Sequence, residues 1–149
     1  MPGYKAHIAV GLSSCLVMLY VIKSLTIMCP TFLQIIGCLA VAVLGSIFPD
    51  IDTTSKMQRL FFIFSSLAIL ASIFFQAWFF FFNLSFITVV VTLLKHRTLT
   101  HSAWFIFTLS LLSVFLSSFL FHEISYTSVL IALCFAIGAC SHIILDFWL

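Results

Sequence analysis

Charge is what this 149-residue chain has least of: six Lys or Arg and four Asp or Glu, 7% of the sequence. Soluble domains carry about 25%. That shortfall excludes a water-soluble enzyme and a charge-solvated disordered chain. The formal net charge of +2 is too small to attract a polyanion, so nucleic acid is not an expected partner. Cysteine is scarce and unpaired in pattern. The five thiols, Cys15, Cys29, Cys38, Cys134 and Cys140, form no C-x-x-C motif, and their odd number excludes a complete disulfide framework. They read as small fillers of apolar helices. A single Lys precedes the first apolar stretch and no small-residue cleavage pattern stands out after it, so this stretch reads as a retained first helix.

What is present is apolar surface. Hydrophobic residues make up 64% of the chain and the mean hydropathy is +1.32. This describes an integral membrane protein whose main partner is the lipid bilayer. At this length one helical domain over residues 1–149 is expected, with no room for a second.

A hydrocarbon core of about 30 Å needs about 20 apolar residues in a helix. Residues 8–22 form one such run and end at Lys23. Pro30 suits the first turn of the next helix. Residues 31–48 form a second run, closed by Pro49-Asp50, and a polar loop continues to Arg59. Residues 60–94 hold no charge at all. One helix of that length would run about 52 Å, so two short crossings are expected. Their turn falls near Gln76-Ala77-Trp78 or nearer Asn83, and the run Phe79 to Phe82 is expected to face lipid. Further runs cover 102–121, broken at His122-Glu123, and 127–147. The expected fold is all-α, a polytopic transmembrane bundle of about six spans.

Six spans put both termini on one side. That side receives Lys5, Lys56, Arg59, Lys95 and Arg97, against Lys23 alone on the other. The bias marks the first side as cytoplasmic. Lys56 and Arg59 read as topology-setting groups in contact with lipid headgroups.

The same side collects His7, Asp50, Asp52, His96, His101, His142 and Asp146. Only His122 and Glu123 fall opposite, where His122 reads as an interfacial residue. His142 and Asp146 are four apart and share a helix face. Asp50 and Asp52 alternate, so in an extended loop both carboxylates face one way. Pro49 is expected to push Phe48 out of the helix. His96 and His101 cannot both point inward from one regular helix, and Thr98 and Thr100 are candidate N-caps for the fifth span. His and Asp without Cys are ligands of hydrolytic zinc, manganese or iron, and seven such residues admit one ion or two. Water on such an ion becomes a nucleophile near neutral pH. Arg97 can grip a phosphate oxygen with its fork. Asp50 or Asp52 serves as ligand or as general base, and the sequence leaves both open.

Blander readings exist for each group. Asp146 could form an ion pair with Lys95, Arg97 or Lys5. The His and Asp content also fits a metal-ion or proton transporter, or a non-catalytic membrane protein with a structural metal. Transport sites favour the bilayer midplane, whereas here the polar groups gather at one end.

Three segments together carry a family resemblance: Gly45-Ser-Ile-Phe-Pro-Asp-Ile-Asp52, His96-Arg-Thr-Leu-Thr-His-Ser102 and Gly138-Ala-Cys-Ser-His-Ile-Ile-Leu-Asp146. With His7 and Gly11, they resemble the YdjM-like membrane-bound, predicted metal-dependent hydrolases, some of whose bacterial members are regulated by LexA. The resemblance spans most of the chain. It implies a bacterial inner-membrane location and a divalent-metal site drawn from His7, Asp50, Asp52, His96, His101, His142 and Asp146. The family is in turn distantly similar to zinc-dependent phospholipase C and P1-type nucleases, which makes phosphoester hydrolysis the leading chemistry and a phospholipid a candidate substrate. Two departures stand out. Thr98 occupies a position that is usually Gly, and the chain runs only three residues past Asp146, where family members commonly continue.

Overall fold

In hydrocarbon, backbone N–H and C=O groups find no water, so each apolar run must satisfy its own hydrogen bonds as a helix. The computed structural model describes residues 4–25, 27, 29–52, 56–93, 101–122 and 124–148, with the side chains of Asp52, Lys56 and Met57 left aside. Among these, six α-helices follow one another: α1 (Tyr4–Ser24), α2 (Phe32–Ile47), α3 (Lys56–Phe74), α4 (Trp78–Leu93), α5 (Ala103–Phe121) and α6 (Tyr126–Trp148). A 3-10 helix, Phe48–Asp52, extends α2. Four segments are long and apolar enough to cross a membrane: α1, α2 with its extension, α5 and α6. The apolar part of α3 and all of α4 are shorter. The protein is thus an all-α polytopic bundle of about six spans.

Local chemistry sets the ends. Thr31, not Pro30, opens α2. Its hydroxyl accepts from the Gln34 N–H at 3.4 Å, and Gln34 Oε1 accepts from the Thr31 N–H at 2.8 Å, a reciprocal capping box. Pro30 lies just outside that cap. At the other end of α2, Phe48 does not leave the helix as its following proline suggested. It keeps right-handed dihedrals (φ −53°, ψ −44°), and its N–H donates to the Gly45 carbonyl. Burial explains this: Phe48 is inaccessible and packs edge-on against Phe135, with ring centroids 5.1 Å apart. The chain tightens into a 3-10 turn instead, so the alternation argument that aligned Asp50 with Asp52 does not apply.

The α3–α4 turn falls at the first expected place, with Gln76 in the left-handed region (φ 53°). Asn83 lies inside α4, buried, and its Nδ2 donates to the Phe79 carbonyl at 2.8 Å and to Ser128 Oγ at 3.4 Å. Ser102 is the N-cap residue of α5, and His122 ends it at φ 54°.

The Phe run of α4 does not face outward as a whole: Phe80 is buried, whereas Phe79, Phe81 and Phe82 are half-buried. Phe80 is buried against Gly37, where a Cβ would stand 2.4 Å from its ring. Phe79 leans on Phe121 at 4.5 Å, and Phe82 packs near Phe121 and Phe86. Large residues that face outward are spread over all six helices, among them Phe32, Phe74, Leu93, Leu111 and Phe119.

Helices α2 and α6 form the centre, and α1 packs against both. Small residues make this possible. A Cβ on Gly45 would stand 2.3 Å from the Phe135 carbonyl oxygen, and one on Gly138 would stand 2.3 Å from that of Ala42. A Cβ on Gly11 would meet Ser46 Cβ at 2.7 Å. Membrane helices associate through such close backbone approach, because lipid offers no hydrophobic drive to squeeze them together.

Candidate metal centre

One helical turn from this glycine layer lies a layer of His and Asp. On α1, which runs opposite to its neighbours, stepping back four residues from Gly11 reaches His7. On α2, stepping forward from Ser46 reaches Asp50. On α6, stepping forward four from Gly138 reaches His142, and four more reaches Asp146. The tight glycine crossing therefore brings the polar ends of three helices together. His7 and His142 stack, with ring centroids 3.8 Å apart and planes inclined by 17°. Both are buried. Their Nε2 atoms bracket one carboxylate: His7 Nε2 is 3.4 Å from Asp146 Oδ1, and His142 Nε2 is 3.1 Å from Asp146 Oδ2.

Asp50 and His101 complete the cluster. Asp50 Oδ1 lies 3.5 Å from His142 Nε2. The His101 ring stands edge-on to His142, with centroids 6.2 Å apart. Two overlapping triads result, His7–His142–Asp146 and Asp50–His101–His142. In each, the potential ligand atoms lie within 4.8 Å of one another. Exposure grades across the site. His142 is fully buried, Asp146 is 23% exposed, Asp50 is 37% exposed, and His101 is open to solvent.

The environment of His142 decides what this cluster can do. Its Nδ1 lies 2.6 Å from the Ser46 carbonyl oxygen. A carbonyl only accepts, so Nδ1 carries the proton and the neutral ring presents its lone pair at Nε2. That lone pair faces two carboxylate oxygens, outside hydrogen-bond geometry to either. The ring nitrogen and the two carboxylate oxygens form a donor set that a cation, or a second proton on the ring, can bridge. A backbone carbonyl that fixes the far nitrogen of an imidazole is also the usual support of a metal-ligating histidine. The donor set fits a divalent ion.

Five of the seven residues singled out by sequence are therefore near one another: His7, Asp50, His101, His142 and Asp146. His96 and Arg97 lie outside the described residues, as do Lys95, Thr98 and Thr100; of Asp52 only the backbone is described. Asp146 faces histidines, and Lys5 is exposed. Sequence reasoning missed the Ser46 carbonyl, which carries no side-chain signal. It also passed over the glycine layer, which could be seen as Gly11, Gly45 and Gly138 each lying about one turn from a His or Asp.

A helical membrane protein with a His/Asp cluster at one end of its bundle is the class that fold and site define. The chain belongs to the YdjM inner membrane protein family, whose model matches residues 1–149. No curated protein and no solved structure matches the chain.

Proposed function

We propose that this cluster holds one divalent metal ion and that the protein hydrolyses a phosphoester or other ester at the membrane interface. Zinc is the first choice by ligand chemistry, with manganese or iron as alternatives. The observation that carries the reading is His142 Nε2, its lone pair set by the Ser46 carbonyl and directed at two carboxylates. Among the described residues, the same atom supports a count of one ion. Both triads depend on His142, and with Nδ1 engaged it has one nitrogen to give.

When bound, such an ion supplies Lewis acidity and brings the pKa of water near neutrality. The chain's own residues divide the remaining work. Buried His7 and His142, with Asp146, form the rigid side of the site. Asp50 and His101 form the open side, where substrate and water arrive. Asp50 is placed to take a proton from an attacking water, or to ligate. Arg97 and Asp52 keep the roles their motifs suggest, gripping an anionic oxygen and sharing the base or ligand duty with Asp50; His96 is a further ligand candidate.

The surroundings favour a substrate that resides in the bilayer, such as a phospholipid. Trp104 and Trp148, both exposed, lie within three residues of His101 and Asp146. Exposed Trp concentrates at headgroup depth, which supports a site end of the bundle close to lipid esters. The excess of Lys and Arg that the sequence puts on the His/Asp side supports a cytoplasmic position for that side and for both termini.

The test is hydrolysis of phospholipid and soluble phosphoester substrates by purified protein in vesicles, with and without zinc. We expect metal-dependent turnover that falls by roughly 100-fold or more in Asp50→Asn, while the ion stays bound. Zinc-loaded protein that is inert toward both phosphoesters and carboxylic esters contradicts the hydrolase reading.

A further inference from the structure

A cavity of about 570 Å³ lies between α2, α3 and α4, toward the end of the bundle away from the His/Asp cluster. Thr31, Gln76, Trp78 and Thr127 stand at its mouth, and Ala40, Ala68 and Leu84 line its inner end. Ala68 is eight residues before Gln76 on α3, so the cavity runs about 12 Å into the bundle. Ser46, which supports His142, is six residues beyond Ala40 on α2, so about 9 Å of packed helix separates the two sites. Elsewhere in this bundle small residues let helices close on one another, as at Gly45 and Gly138. Between α2 and α3 they do not: Gly37 and Ala40 on one helix, and Ala68 and Ala71 on the other, line the cavity instead. Ile36 and Ala71 on its walls are also exposed, so the space opens sideways to the surroundings of the bundle.

We propose that this cavity binds one acyl chain of a bilayer phospholipid, drawn from the leaflet opposite the His/Asp cluster. One leaflet's share of a hydrocarbon core of about 30 Å is about 15 Å, so a chain that starts at headgroup depth fills the 12 Å cavity along its length. Trp78, 52% exposed at the mouth, marks headgroup depth. Phe75, Phe79, Phe80 and Leu84 give the walls an apolar surface. A chain seated among them gains the dispersion contacts that the separated helices do not make with each other. It enters sideways from lipid, with no passage through water. A polar metabolite is a poor match, because these walls offer its donors and acceptors no partners. The mouth is polar but neutral. Its hydroxyl and amide groups suit lipid ester oxygens, and among the described residues no charged side chain lines the cavity. The site therefore selects for the chain and not for the charge of the headgroup. A chain held there ties α3 and α4, the two helices with the shorter apolar stretches, to α2 at the centre.

The experiment measures phospholipid retained by the full chain after extensive detergent washing, and the unfolding temperature before and after lipid is returned. Wild-type protein should retain one phospholipid per chain. Delipidated wild type should unfold at a higher temperature once dipalmitoyl phosphatidylglycerol or dipalmitoyl phosphatidylethanolamine is added, and to the same extent with either. Dihexanoyl phosphatidylglycerol, with the same headgroup and short chains, should give no such rise. Ala71→Phe and Ala40→Leu each place a side chain in the cavity and should weaken retention by at least about tenfold. An unfolding temperature at or above that of delipidated wild type shows that each variant folds. Leu111→Ala, which alters an outward-facing side chain on α5, should retain lipid as wild type does. Wild-type protein that retains no phospholipid overturns the proposal. So does retention that survives in both folded cavity variants, or that follows headgroup charge rather than chain length.

Discussion

The two ends of α2 and α6 pose the same problem, polar side chains where the helices leave hydrocarbon, and answer it in opposite ways. At the end away from the His/Asp cluster, donors meet acceptors. Gln34 Nε2 donates to the Tyr126 hydroxyl at 2.8 Å and to Thr127 Oγ1 at 3.0 Å, while Gln34 Oε1 accepts from the Thr31 N–H. That end is a latch, complete in itself. At the opposite end, the lone pair of His142 meets the carboxylates of Asp146 and Asp50. The same two helices carry both arrangements, so the difference lies in the chemistry of the side chains rather than in their packing. One end holds the fold together with neutral hydrogen bonds. The other gathers acceptors around a space suited to a cation.

The sharpest way to break this contrast is His142→Ala. It removes the nitrogen both triads share. We expect divalent-ion affinity to fall by well over 100-fold, more than the 10–100-fold typical of removing a supporting group around a ligand. Equilibrium dialysis against zinc reads the change. Affinity within a few-fold of wild type would make the cluster a structural ion-pair network.

Gly138→Ala comes next, and it tests whether the close crossing of α2 and α6 builds the site. Its Cβ would meet the Ala42 backbone, which cannot step aside without separating the helices. The expected loss is about 1–3 kcal/mol of stability, the usual cost of overpacking, together with weaker ion binding. Gly37→Ala is the matched control on the same α2. Its Cβ would meet the outer edge of the Phe80 ring, and a side chain can swing where backbone cannot. It should cost about 1 kcal/mol or less and leave the ion affinity unchanged. Thermal unfolding in detergent, followed with and without zinc, separates the two variants.

The smallest effect belongs to the latch. Gln34→Ala removes neutral hydrogen bonds in part-exposed positions. It should lower stability by about 1 kcal/mol, again with no change in ion affinity. A change in ion binding from this far end would mean that the two ends are coupled, against the separation drawn above.

Much of this was legible in the sequence, for identifiable reasons. The scarcity of charge gave the membrane class. The spacing of apolar runs gave the helices, including the α3–α4 turn at Gln76. The spacing of His142 and Asp146 gave their shared face. What could not be read were relations across helices or along unusual backbone. The right-handed conformation of Phe48 before a proline depends on its burial against Phe135. The inward packing of Phe80 depends on a glycine 43 positions earlier in the chain. The tautomer of His142 depends on a carbonyl of α2, an atom every residue has.

The central claim is that His142 and its carboxylates surround a cation rather than a shared proton. Elemental analysis of the protein, purified without chelators, tests it most directly. The account predicts one divalent ion per chain in wild type and none in His142→Ala that remains folded in detergent. Folded wild-type protein without a stoichiometric ion, and unable to take up zinc, manganese or iron on dialysis, would contradict it and identify the cluster as an imidazolium clamped between carboxylates.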